Sequence, residues 1–275
     1  MRVALVQLNS SDDPVRNLSE TLGLLEQAAE AGAELIATPE VTNCVSLSRA
    51  HQRDVLQAEA DDMTLAACRA FARERRVWLL LGSLALKGGA DGRFVNRSFL
   101  IAGDGGIRAR YDKIHMFDVA VTPSETFRES DGYAPGDDAV LAETTWGKLG
   151  MTICYDMRFP GQFRDLAKAG ADILGCPSAF SPVTGAAHWE VLLRARAIET
   201  GCYVLAPAQC GTHAATKGKP RQTYGHSLAV DPWGQVLADG GTEPGVTIVT
   251  LDLAAVKAAR ARIPSLTNDR PYGAP

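Results

Sequence analysis

Gly147-Lys148-Leu149-Gly150-Met151-Thr152-Ile153-Cys154-Tyr155-Asp156-Met157-Arg158-Phe159-Pro160 is the stretch on which the fold and chemistry of this chain turn. Leu149, Met151, Thr152 and Ile153 read as the end of a buried strand, and Pro160 opens an amphipathic helix. A side chain at such a strand-to-helix turn emerges in the crevice at the carboxyl end of a sheet, where open α/β sheets place their ligands. Cys154 sits where the apolar run stops rather than inside it. A lone cysteine most often packs as a small hydrophobe, so a chemical role for it requires partners elsewhere in the chain.

The 275 residues, 46% hydrophobic and 22% charged, provide enough apolar surface for one large α/β domain. No linker, composition shift or internal repeat divides them, so residues 1–275 are read as a single domain. The formal net charge of -4 lacks the dense basic face that nucleic acid or an anionic membrane requires. No apolar run is long enough to span a bilayer. The amino terminus runs into the strand pattern Arg2-Val3-Ala4-Leu5-Val6-Gln7-Leu8 without a secretory signature. Cys44, Cys68, Cys154, Cys176, Cys202 and Cys210 include no CxxC pair, which speaks against a disulfide framework or structural zinc and for a reducing cytoplasm.

Working outward, Asp13 and Pro14 start a helix whose apolar face is expected at Val15, Leu18, Leu22, Leu25 and Ala29, closed by Gly32. Residues 34–38 read as a strand broken by Pro39 and followed by Glu40. Residues 41–61 look polar and irregular, 63–75 helical, and 77–83 a continuous buried strand. Strands at 93–102 and 107–111 flank Gly103-Asp104-Gly105-Gly106, a hairpin signal, and the second ends at Lys113. Residues 118–138 read as a long loop of the kind that is usually functional or disordered. Beyond the central stretch, helices are expected at 160–169 and 188–200 and strands at 140–145, 172–177 and 202–208. A polar loop carrying Lys217, Lys219 and Arg221 covers 209–223. A hairpin over 226–238, a strand at 246–251, a helix at 253–262 and an extended arm over 263–275 complete the chain. Strands alternating with helices and interrupted by hairpins give an α/β class with mixed sheets covered by helices.

Glu40, Lys113 and Cys154 thus stand at three strand exits. Taken singly, each has a bland account, a solvated glutamate, a surface lysine and a packed thiol. Together their flanks, Ala37-Thr38-Pro39-Glu40, Tyr111-Asp112-Lys113-Ile114-His115 and Gly150 to Pro160, closely resemble the three ordered catalytic blocks of the nitrilase, or carbon-nitrogen hydrolase, superfamily. Within it the chain is similar to the Nit branch, which includes deaminated glutathione amidase and ω-amidase. The matching words are Phe127-Arg128-Glu129-Ser130, Pro177-Ser178-Ala179-Phe180, Thr184-Gly185, Ala187-His188-Trp189-Glu190, Leu193 to Glu199 and Tyr224-Gly225-His226-Ser227 with Val230 to Gly234. Ser178-Ala179-Phe180 and Tyr224-Gly225-His226 stand nearer to deaminated glutathione amidase. Gly161, where the branch usually has Glu, and residues 119–125 depart from the pattern.

The resemblance implies a four-layer α-β-β-α sandwich that commonly dimerises, no metal or organic cofactor, and hydrolysis of a small carboxylate-bearing amide to acid and ammonia. It implies Cys154 as nucleophile, Glu40 as general base, and Lys113 with the Tyr155 backbone N–H as oxyanion donors. Glu129 matches a second family glutamate that orients Lys113. These residue types suit the chemistry. A thiol of ordinary pKa is scarcely ionised at neutral pH and needs a neighbouring base, a covalent thioester divides a hard step into two easier ones, and one oxyanion donor contributes roughly 3 kcal/mol. Arg158 is a candidate carboxylate clamp, with a salt bridge to Asp156 or Glu190 as the equal alternative. Phe180 and Thr184 match pocket positions of the branch. Lys217, Lys219 and Arg221 form either an attractor for an anionic tail or, more simply, a solvated basic loop. Two rivals carry definite expectations: a Cys-His hydrolase using His115, His188 or His226, and a non-catalytic binding protein on the same fold.

Overall fold

The computed structural model describes residues 1–122 and 125–273. Strand β1 (Arg2–Gln7) leads to α1 (Pro14–Glu30), β2 (Leu35–Ala37), α2 (Arg49–Val55), α3 (Met63–Arg75), β3 (Trp78–Lys87), β4 (Phe94–Ile101) and β5 (Ile107–Asp112). A small hairpin, β6 (Asp118–Thr122) with β7 (Glu125–Arg128), precedes β8 (Val140–Glu143), β9 (Lys148–Met151), α4 (Pro160–Lys168) and β10 (Ile173–Gly175). Then come α5 (Pro182–Thr200), β11 (Tyr203–Ala206), β12 (Cys210–His213), β13 (Arg221–Tyr224), β14 (Leu228–Val230), β15 (Val236–Asp239), β16 (Gly245–Thr250) and α6 (Ala254–Arg262).

Two six-stranded sheets form the body, in the orders β16-β1-β2-β3-β4-β5 and β15-β14-β11-β10-β9-β8. Each has a parallel centre, β1-β2-β3 in one and β9-β10-β11 in the other, edged by antiparallel strands. Strand alternation assigns the layers. Val3 and Leu5 of β1 enter a core shared with Leu149, Met151 and Val204 of the second sheet. Ala4 and Val6 face the other way and pack with Leu25 of α1 and Phe71 of α3. Phe163 of α4 and Trp189 of α5 belong to the core around the second sheet, which completes the α-β-β-α order expected from the sequence. Where the sheets press together, a Cβ on Gly175 would stand 2.7 Å from a Leu80 methyl. The glycine makes the room that this fully buried leucine fills.

Several expectations need correction. The buried stripe of α1 is Asn17, Thr21, Leu25 and Ala28, and Val15 lies outside it, 64% exposed. Asn17 replaces apolar burial with hydrogen bonds: its amide donates to the Ser11 and Asn43 carbonyls and its oxygen accepts from the Ser11 N–H. Residues 41–61 contain α2 and a 3₁₀ turn at Glu59–Asp61. The expected loops at 118–138 and 209–223 contain the β6–β7 and β12–β13 hairpins. Helix α5 begins at Pro182, six residues before the expected start, and Gly201 at φ +61 ends it in the left-handed conformation. The tail is not simply extended: residues 265–267 form a turn, and Asp269 pairs with Arg164 and Lys168 of α4. Pro275, part of the expected arm, lies outside the described residues, as do two positions of the divergent stretch 119–125.

Candidate active site

The carboxyl ends of the two parallel centres meet at one rim of the sandwich. Glu40 leaves β2, Lys113 leaves β5, and Cys154 leaves β9. Two of these exits are backbone-strained. Cys154 has φ +48, and Val41, directly after Glu40, has φ +49 although it is β-branched. Such conformations persist only where surrounding contacts enforce them. At Cys154 the N–H donates to the Pro177 carbonyl at 3.0 Å. Close packing under Glu40 is equally demanding, because a Cβ on Gly82 would stand 1.9 Å from the Thr38 carbonyl oxygen.

Asp156 braces the turn that carries Cys154. Its Oδ2 accepts from the Ile153 N–H at 2.8 Å and from the Tyr111 hydroxyl at 2.6 Å, and its Oδ1 accepts from the His115 N–H at 3.0 Å. His115 Nδ1 lies 2.7 Å from the same oxygen, and its ring stacks on Phe159. The fully buried carboxylate therefore ties the Cys154 turn to the β5 exit that carries Lys113. Nothing in the periodicity indicated this role, although a charged residue inside each motif was a usable signal.

Glu40 and Lys113 are almost completely buried. Lys113 Nζ donates to Glu40 Oε1 at 2.9 Å and to Glu129 Oε2 at 2.9 Å. Glu40 also accepts from Asn96 Nδ2 at 2.9 Å and, across the sheet junction, from the Ala179 N–H at 2.8 Å. Burial alone would raise the Glu40 carboxyl. The Lys113 ammonium and Arg221 guanidinium, with hydrogen bonds from Lys113 and the Cys154 thiol, outweigh burial and hold it below the ordinary range. For Lys113 burial works against the charge, yet Glu129 and Glu40 reverse the balance and keep it an ammonium. Burial, then the Glu40 charge, push the Cys154 thiol well up, against the pull of Lys113. The resting set is a carboxylate, an ammonium and a neutral thiol.

These groups open into a cavity of about 390 Å³, within the range of roughly 300–1,000 Å³ typical of small-molecule sites. Phe117, Phe127, Tyr155 and Phe180 give it an aromatic wall, and Thr184 also faces it. The Tyr155 N–H, at the second residue of the 3₁₀ turn Cys154–Arg158, has no intrahelical acceptor. Among the expected site residues, the structure thus brings together Glu40, Lys113, Cys154, Glu129, Tyr155, Phe180 and Thr184. It does not bring in Arg158, which pairs with neither Asp156 nor Glu190. Its guanidinium lies over the Phe180 ring and 3.2 Å from His188 Nδ1, outside the cavity lining. Arg221, read as one residue of a basic loop, faces the cavity, as do Arg49 and Asn96, which were not singled out. No histidine lines the cavity among the described residues.

Residues 2–261 match the family model described as carbon-nitrogen hydrolase. A deaminated glutathione amidase from Yersinia enterocolitica is 39% identical over 98% of this chain and 92% of its own length. The crystal structure of the Caenorhabditis elegans NitFhit protein superposes with a TM-score of 0.90 at 38% identity, covering 98% of this chain and 65% of that one, so the chain spans about two thirds of that fusion protein. An amidase from Nesterenkonia sp. AN1, solved as a glutamate-to-glutamine mutant with acrylamide added to its active-site cysteine, gives a TM-score of 0.78 at 27% identity over 96% of this chain and 98% of that one. With its sandwich fold and the acid, ammonium and thiol gathered at one rim, the chain belongs to the carbon-nitrogen hydrolase family of the nitrilase superfamily.

Proposed function

We propose that this carbon-nitrogen hydrolase is an amidase for small carboxylate-bearing amides, with deaminated glutathione as its substrate and Glu40, Lys113 and Cys154 as its catalytic residues. The observation that carries the proposal is the buried ion pair of Glu40 with Lys113, at 2.9 Å, in a cavity that Cys154 also lines. As the Cys154 sulfur bonds to the amide carbon, its proton passes to Glu40 and the carbonyl electron pair moves onto oxygen. Lys113 and the Tyr155 N–H stabilise that oxyanion. Collapse breaks the C–N bond, with the Glu40 proton delivered to the departing nitrogen, and leaves a thioester on Cys154. Water then gives a proton to Glu40 while attacking the thioester, and the sulfur leaves to recover its proton. Lys113 stays charged throughout, because Glu129 balances it when Glu40 is protonated.

Glutathione is a tripeptide with a carboxylate at each end, so in its deaminated form the nitrogen that leaves carries a peptide and departs as an amine rather than ammonia. A cavity of about 390 Å³ suits such a substrate better than a five-carbon amide, which would leave much of it empty. Six buried, unpaired cysteines suit a reducing, cytoplasmic setting. Homodimerisation is favoured by the exposed stripe Val183, Val191 and Ile198 on α5.

Amine or ammonia release from deaminated glutathione, α-ketoglutaramate and α-ketosuccinamate tests the assignment, with mass spectrometry for an acyl adduct on Cys154. Highest kcat/KM on deaminated glutathione with an adduct on that cysteine is expected. No release from any of the three would refute the amidase assignment, and preference for the shorter amides would favour an ω-amidase.

A further inference from the structure

Three guanidinium groups line the cavity with no ion pair among the described residues: Arg128, which is exposed, and Arg221 and Arg49, which are not. Arg221, on β13, donates to the Ala179 carbonyl and lies 6.0 Å from the centre of the Phe127 ring. Arg49, on α2, donates to Gln52 Oε1 at 2.7 Å and lies 4.9 Å from the centre of the Tyr133 ring. Both are half-buried, both line the cavity, and neither forms an ion pair among the described residues. Their side-chain hydrogen bonds among the described residues go to neutral oxygens. A partly desolvated guanidinium without an ion pair is favoured by an anion brought against it, and planar guanidinium is the side chain best suited to a carboxylate.

Their places in the cavity differ. Ala179, which accepts from Arg221, donates its own N–H to Glu40, and the Arg221 charge is felt at the Glu40 carboxyl. Arg221 therefore stands beside the reacting groups. Arg49 is fixed on the wall formed by α2 and Tyr133, where Gln52 Nε2 donates to the Tyr133 hydroxyl at 2.9 Å and so holds the Arg49 acceptor in place.

We infer that Arg221 and Arg49 set substrate choice by binding two carboxylates, one on each side of the scissile amide: Arg221 that of the acyl part, Arg49 that of the departing amine. The inference rests on the amidase reading and narrows it to amides that carry an anion at both ends. It gives the two arginines a role that Arg158, outside the cavity lining, does not fill.

Two simple amides separate the two ends. Glutarylglycine carries a carboxylate on both sides of its amide, whereas glutaramic acid carries only the acyl-side one. Binding of each to Cys154→Ala protein is measured by calorimetry, alone and combined with Arg49→Gln or Arg221→Gln, and turnover of each by the corresponding enzymes with Cys154 intact. Arg49→Gln is expected to weaken glutarylglycine binding and raise its KM by roughly 10- to 100-fold, with glutaramic acid unchanged. Arg221→Gln is expected to weaken both ligands, and Arg49→Lys to restore part of the loss. Equal effects of Arg49→Gln on the two ligands, or no effect of either substitution on binding, would overturn the inference. Calorimetry reads this even if neither amide is hydrolysed, so a failure of the amidase reading, seen as absent turnover on every amide, is told apart from a failure of the two-arginine assignment.

Discussion

Replacing Glu40 by Gln distinguishes a glutamate base from a histidine base, and the geometry fixes what the substitution costs. Glu40 Oε1 accepts from two donors, Lys113 Nζ and Asn96 Nδ2, each at 2.9 Å, and Oε2 accepts from the Ala179 N–H at 2.8 Å. A glutamine has one oxygen for these three donors. The favourable orientation keeps that oxygen on Lys113 and Asn96 and turns the NH₂ group toward the Ala179 N–H, leaving a buried donor unsatisfied. Such a group costs about 1–3 kcal/mol. Lys113 keeps Glu129 as a counter-charge at 2.9 Å, so the larger penalty of an isolated buried ammonium is avoided. Glu40→Gln is therefore expected to fold, with unfolding free energy lowered by about 1–3 kcal/mol in a denaturant titration.

Its activity is expected to fall much further. A positioned general base contributes roughly 10²–10⁴-fold, and here the same group serves thiol deprotonation, amine protonation and water activation. Burial keeps Cys154 a thiol, and the neutral glutamine removes the carboxylate beside it that would take its proton. Steady-state amine release and single-turnover adduct formation on Cys154 should both fall by at least roughly 100-fold. Retention of activity within about tenfold of the parent would refute the base assignment and return a histidine to consideration, although His115, His188 and His226 engage Asp156, Arg158 and Asp239 instead.

Four further outcomes follow from particular contacts. Cys154→Ala should abolish turnover but change stability by no more than about 1 kcal/mol, since one buried sulfur at a turn is removed; loss of folded protein in circular dichroism would make the residue structural. Asp156→Asn should turn an NH₂ toward the Ile153 N–H or the His115 N–H, costing about 1–3 kcal/mol in denaturant unfolding, and should lower kcat more than it raises KM. His213, buried between the Ser10 carbonyl and the Thr223 hydroxyl, is pushed by burial from 6.5 to about 4. The unfolded chain binds the extra proton, so stability is complete above pH 6.5 and about 3 kcal/mol is lost as pH falls toward 4; His213→Gln should flatten that part of the stability–pH curve. Val191→Glu should shift the sedimentation of the protein toward monomer if the exposed stripe of α5 joins two copies, and an unchanged profile would exclude that face.

The sandwich and the three strand exits were legible because burial imposes periodicity. The β3 run from Trp78 lies between two apolar layers, and the Asp13-Pro14 start supplies a helix cap that the structure confirms, Asp13 accepting from Val15 and Arg16; the Asp62 cap on Leu65 was not read from the sequence. The register of α1 was misjudged where this logic fails. Asn17 and Thr21 occupy its buried stripe while Val15 faces solvent, and Asn17 is accommodated by hydrogen bonds that no pattern of hydrophobicity records.

The same distinction separates the chemistry from the specificity. Glu40, Lys113 and Cys154 end strands whose apolar pattern continues up to them, so their common rim followed from the sheet. Arg49 and Arg221 belong to stretches without such a pattern. Helix α2 is seven residues long, starts on a Ser48 side chain that accepts the His51 N–H, and buries His51 and Gln52 rather than aliphatic residues. Strand β13 pairs with β12 in a two-stranded ribbon whose isolated stability in water would be marginal. Both elements are ordered by contact with the finished sandwich, the one through the His51 ring on the Asp12 carbonyl, the other through Arg221 on Ala179. Residues that depend on tertiary contacts for their conformation can change without disturbing the strands that carry the reacting groups. A cavity wall built from them sets substrate contacts apart from the strands that carry the reacting groups, and it is why this sequence disclosed the reaction more readily than the substrate.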